Sequence, residues 1–82
     1  MAQPHPWIDG KLEGMSNLTF DLVTMLSNTG EAIDAIDAHI DDAKQVNDRD
    51  ALQTFSQIRD DLIRHCDMLR QLITNQAKQG KF

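Results

Sequence analysis

Apolar residues recur at helical spacing along most of the chain, and they predict three helices. The first helix is predicted from about Ser16 to Ser27, with Ser16 or Asn17 as its cap. Its apolar face is formed by Leu18, Leu22, Met25 and Leu26. The second helix is predicted to end at about Val46, and its apolar stripe is Ile33, Ile36, Ile40 and Ala43.

Two short polar segments are predicted to separate these helices. Asn28-Thr29-Gly30 has turn composition, with Gly30 free to adopt positive φ. Asn28 and Glu31 have the spacing of a capping box, with Asn in place of the usual Ser or Thr. Asn47-Asp48-Arg49-Asp50 forms the second turn, with Asn47 or Asp48 as the next cap.

The third helix is predicted to be the longest, from about Asp50 to Lys78, with Gly80 ending it. Its heptads place Leu52, Arg59, Cys66 and Ile73 at position a and Phe55, Leu62 and Leu69 at position d. Ile58, His65 and Leu72 flank this seam on one side and Ile63 flanks it on the other, so we expect the helix to contact two neighbours. The predicted fold is an all-α, up-down-up three-helix bundle over residues 16–78. An extended or weakly helical segment (1–15) precedes it and a frayed tail (79–82) follows it.

This arrangement leaves the C-terminal part of the third helix without cover from its own chain. The overhang would be about a dozen residues, ~18 Å at 1.5 Å per residue. Its apolar side chains are Met68, Leu69, Leu72 and Ile73. We expect them to bind a partner, most simply a second copy in a twofold dimer. The alternatives are that the helix ends near Met68 or that the first helix is displaced to cover it.

Composition narrows the functional classes. The net charge of −5 argues against a nucleic-acid-binding surface. No apolar run approaches the ~18 residues that a membrane span needs. Cys66 is the only cysteine, which excludes an internal disulfide and fits a reducing compartment, read here as the cytoplasm.

Acidic residues are concentrated in the first part of the chain, and the excess is Asp: eleven Asp against two Glu. Asp34, Asp37 and Asp41 form a stripe beside the second helix's isoleucines, and Arg59 is predicted to lie opposite Asp37. The stripe has two interpretations. It is either a binding surface for a basic partner, as in a nucleic-acid mimic, or simply lineage composition, such as salt adaptation.

Few residues of the chain are candidates for metal binding or catalysis. His65 with Asp61 and Glu31 could ligate a metal, but we interpret His65 as a structural histidine at the edge of the core, paired with Asp61 or Glu31. Cys66 occupies a core position unsuited to a nucleophile. Trp7 either covers one end of the bundle or anchors a partner.

These observations predict a non-enzymatic protein-interaction module, a homodimeric adaptor, chaperone or regulatory subunit without a cofactor. The predicted partner-binding residues are Met68, Leu69, Leu72 and Ile73, together with Asp34, Asp37 and Asp41. The alternatives are an acidic inhibitor that uses the Asp stripe and a metal-binding protein that uses His65.

Overall fold

Two long helices form an antiparallel hairpin in the computed structural model, which describes residues 15–82. Helix α1 spans Asn17–Gln45 and helix α2 spans Arg49–Lys78. The described part is all-helical, as predicted, but the prediction of a three-helix bundle is wrong. Residues 1–14 lie outside the described part, so the predictions for the N-terminal segment and Trp7 stay predictions.

The predicted turn at residues 28–30 is the source of this error, because α1 continues through it without interruption. A heptad seam runs in phase across the whole helix, with spacings of three and four residues. Its members are Thr19, Leu22, Leu26, Thr29, Ile33, Ile36, Ile40 and Ala43. The Thr29 hydroxyl donates to the Met25 carbonyl oxygen at 2.8 Å, so this polar residue is satisfied inside the helix. The capping box of Asn28 and Glu31 therefore does not form.

The predicted signals at the other helix ends are confirmed. Ser16 caps α1, and its hydroxyl oxygen accepts from the Thr19 N–H at 3.1 Å. Asp48 caps α2 by accepting from the Ala51 N–H at 2.9 Å. Asn47 turns the chain between the helices with a φ of 57°, and Gly80 follows α2 with a φ of 71°.

The seam of α2 consists of the residues that its heptads predict. Cys66 is buried, and the other predicted a and d residues are half-buried against α1. On α1 the most buried apolar side chains are Leu22, Ile36 and Ala43. One row of side chains from each helix thus forms the core, and the flanks on both sides of this row remain open to solvent.

The predicted overhang of α2 does not exist, because the two helices have nearly equal length, 29 and 30 residues. At the end opposite the loop, here named the open end, the Ser16 N–H donates to the Phe82 carbonyl oxygen at 2.8 Å. Thr19 is only 1% exposed, and its hydroxyl donates to the Lys81 carbonyl oxygen at 3.5 Å. The N-terminal half of α1 therefore lies beside the stretch of α2 that was expected to lack cover.

An ion pair fixes the alignment of the helices near the middle of the hairpin. Arg59 Nε donates to Asp37 Oδ1, as the sequence predicts. The hydrogen bond to Asp37, together with the charge of that carboxylate, raises the pKa of Arg59. The pair lies at the solvent-exposed edge of the seam, where salt screens it.

Replacing Gly30 by Ala tests the continuity of α1. A Cβ at Gly30 meets nothing within 4 Å, so G30A should raise the free energy of unfolding by about 0.5–1 kcal/mol, because alanine has the higher helix propensity. Urea unfolding followed by circular dichroism measures the change. G80A is the matched control and should destabilise, since Gly80 has positive φ. Destabilisation by G30A would indicate a turn at this position.

A double-mutant cycle of D37N and R59Q tests the ion pair. The coupling free energy should favour the folded state at about 0.01 M salt and shrink at about 1 M salt, as the screening length falls from ~30 Å to ~3 Å. Urea unfolding of the four proteins gives the coupling. A coupling that does not change with salt would contradict an electrostatic contribution from this pair.

Candidate functional site

One flank of the hairpin is lined by apolar side chains on both helices and is here named the apolar face. Its residues lie one position before each heptad a position, and Met68 adjoins the row. On α1 the row is Leu18, Met25, Ala32, His39 and Val46; on α2 it is Ala51, Ile58, His65 and Leu72. The larger apolar members are conspicuously exposed: Val46 by 73%, Met68 by 64% and Met25 by 56%. A continuous apolar surface of this kind is typical of an interaction site.

The half of the apolar face near the open end contains a groove of about 310 Å³ between the two helices. Both helices contribute to it, and the set is Met25, Thr29, His65, Met68, Leu69 and Leu72. Met25 and Met68 are unbranched and adaptable, a property common at binding surfaces. The groove is therefore suited to large apolar side chains.

The half near the loop contains a second groove of about 280 Å³. It is lined by His39, Asp42, Ala43, Val46, Asp48, Ala51 and Phe55. The rings of His39 and Phe55 lie with their centroids 5.7 Å apart, so the histidine forms part of the apolar wall. The apolar face thus extends along the whole hairpin rather than being confined to one end.

The opposite flank is different, because charged side chains interrupt it. Asp37 lies there with Arg59, and Asp34 and Asp41 are exposed one helical turn to either side. Val23 and Ile63 are also exposed on this flank, but as single residues rather than a row. The Asp stripe and the apolar face therefore lie on different sides of the hairpin.

The predicted partner-binding residues divide among three environments. Met68 and Leu72 are exposed on the apolar face, whereas Leu69 and Ile73 are half-buried in the seam, with Leu69 also reaching the open-end groove. The three aspartates lie on the opposite flank. Sequence reasoning placed Ile58, His65 and Leu72 together on one flank of α2, but it did not join Leu18, Met25 and Val46 of α1 into one row beside them. The spacing of these three residues was the available signal, and the assumed turn obscured it.

The side chains of the described part that the sequence offers for chemistry include Cys66, Asp61 and His65. Cys66 is buried in the seam, as its heptad position predicts. Asp61 pairs with Arg64 at 2.8 Å. Among residues 15–82, no three His, Cys, Asp or Glu side chains cluster so as to hold a metal ion.

Neither helix offers a stretch both long and apolar enough to cross a bilayer, as far as the described residues extend. The apolar face contains one groove in each half, and a further groove of about 460 Å³ lies at the loop end beside Lys44, Asn47 and Arg49. No protein-family model, curated protein or solved structure matches this chain.

Proposed function

We propose that this protein is a non-enzymatic interaction module that binds a second copy of itself through the apolar face. The observation that carries the proposal is the row of exposed apolar side chains that runs along one flank of both helices. As a homodimer it would serve as a small adaptor, chaperone or regulatory subunit. The cytoplasm is the proposed compartment, since a lone thiol such as Cys66 stays reduced there.

The hydrophobic core of the hairpin is narrow. A two-helix hairpin buries one seam, and only Leu22, Ile36, Ala43 and Cys66 are buried apolar residues in the described part. Small domains with so little core commonly depend on oligomerisation. Burying a large apolar side chain contributes roughly 1.5–3 kcal/mol, and the apolar face exposes six: Leu18, Met25, Val46, Ile58, Met68 and Leu72.

A second copy fits this surface better than a short segment does. The apolar face runs the length of two helices of 29 and 30 residues, roughly 43–45 Å at 1.5 Å per residue. It is also two helices wide, so a single segment of fourteen residues would cover only part of its width, whereas a second hairpin covers both helices. Two hairpins packed face to face would form a four-helix bundle in which each helix is covered on a second side. The interface would be isologous, as in most dimers.

The Asp stripe supports the alternative of an acidic inhibitor less well. Asp37 is already engaged by Arg59 within the chain, which leaves Asp34 and Asp41 as the freely exposed members. Exposed single carboxylates are common on any solvated helix. The metal-binding alternative with His65 has less support again, since Asp61 pairs with Arg64.

Sedimentation equilibrium of the complete chain tests the dimer. The wild type should approach twice the chain mass of 9.3 kDa as concentration rises. Leu72→Glu should raise the dissociation constant at least tenfold, about 1.4 kcal/mol, because the interface would bury an unpaired carboxylate. Met25→Glu makes the same test from α1. Gln71→Glu and Thr24→Glu are the matched controls, since each adds the same charge at an exposed neighbouring position.

Two outcomes would contradict the proposal. One is a wild type that keeps the mass of a single chain at hundreds of micromolar. The other is a monomer whose Trp7 fluorescence shifts to the red on Leu72→Glu, which would identify residues 1–14 as the occupant of the apolar face. Trp7 is a clean reporter because the chain has one Trp and no Tyr. Circular dichroism checks that each variant keeps its helices.

A further inference from the structure

The charge of the hairpin is distributed unevenly along its length. The half nearest the loop, residues 32–63, carries eight Asp against Lys44, Arg49 and Arg59, a net charge of −5. The half nearest the open end, residues 15–31 and 64–82, carries Arg64, Arg70, Lys78 and Lys81 against three acids, a net charge of +1. The antiparallel alignment brings the members of each half to the same end, since Asp37 pairs with Arg59 and Ser16 with Phe82.

The second copy can lie on the apolar face in two twofold arrangements. If the axis runs along the helices, both loops lie at the same end of the bundle. If the axis lies in the interface and crosses the helices at a right angle, each loop lies over the partner's open end. Both arrangements cover the apolar face, so burial of apolar area does not choose between them.

Charge does choose between them. The first arrangement brings two ends of charge −5 together, whereas the second sets each end of −5 against an end of +1. Like charges placed side by side across an interface are costly, and complementary charges orient association. We infer that the partner of this hairpin is a second copy in the antiparallel orientation, with the loop of each copy over the open end of the other.

Packing on the apolar face is compatible with this orientation. Helix α1 then lies over α1 of the second copy, with Ala32 near the axis. Positions equidistant from that level meet, so Leu18 lies over Val46 of the second copy. On α2, Ile58 lies over Leu72 of the second copy by the same rule. By the same rule Met25 lies over His39 of the second copy and the two His65 side chains meet at the axis. Large apolar side chains of one copy therefore meet apolar or imidazole side chains of the other, and the small Ala32 lies at the crossing point on α1.

This inference rests on the proposed function, and pulsed electron paramagnetic resonance separates the two. Spin labels are placed one at a time at Gln45→Cys, near the loop, and at Glu31→Cys, midway along α1, in a Cys66→Ala background whose helicity is checked. Glu31→Cys labels should be below ~30 Å apart in either orientation. Gln45→Cys labels should be about 40 Å apart, since each lies thirteen residues from Ala32, on opposite sides of the axis.

The outcomes are distinct. A short distance from both labels overturns the antiparallel orientation and keeps the dimer. No intermolecular distance from Glu31→Cys overturns the dimer itself, and with it this inference.

A second test keeps Cys66, should its replacement unfold the chain. Asp42→Asn reduces the loop-end charge to −4 at an exposed position that lines the groove in the loop half of the apolar face. The antiparallel dimer should keep its dissociation constant or have it raised by up to about threefold, because the charge removed attracts the partner's open end. A tightening of about threefold or more overturns the inference, since it indicates relief of repulsion between adjacent loops.

Discussion

The seam between α1 and α2 determines the rest of the molecule. Each helix contributes one row of side chains, spaced by three and four residues, and these rows meet along the full length of the hairpin. Because the row on α1 keeps its phase through Thr29 and Gly30, the helix has no reason to break there. Because the seam continues along both helices, the helices have nearly equal length and Ser16 lies beside Phe82. The seam also determines which side chains lie on the two exposed flanks.

The open flanks differ in character, and this difference directs the functional proposal. On one side, apolar residues precede the seam on both helices and form the apolar face with its two grooves. On the other side, Asp37 and Arg59 close the edge of the seam with an ion pair. In the proposed dimer, the apolar flanks of two such hairpins would meet and form a four-helix bundle.

Much of this fold could be predicted from local signals. The heptads of α2, the caps at Ser16 and Asp48, and the pairing of Asp37 with Arg59 each depend on a few neighbouring residues with a clear physical role. The prediction of a turn at Asn28–Gly30 was wrong because these residues are typical of turns. The evidence for a continuous helix was the spacing of three and four residues, which apolar residues before and after this segment share. Thr29 made the heptad pattern hard to recognise, because a polar residue is not expected at a seam position. In the structure its hydroxyl donates to the Met25 carbonyl oxygen, so the residue can lie there. The apolar face was missed on α1 for the same reason, because Leu18 and Met25 were assigned to a separate helix from Val46.

The continuity of α1 is the central claim, and nuclear magnetic resonance tests it directly at residues 28–30. The account predicts helical Cα chemical shifts for Asn28, Thr29 and Gly30, together with amide protons that exchange as slowly as those of the adjoining turns of α1. Turn-like shifts and rapid exchange at these three residues would contradict it. The first helix would then end near Ser27, and the paired flanks of the hairpin would no longer form one continuous face.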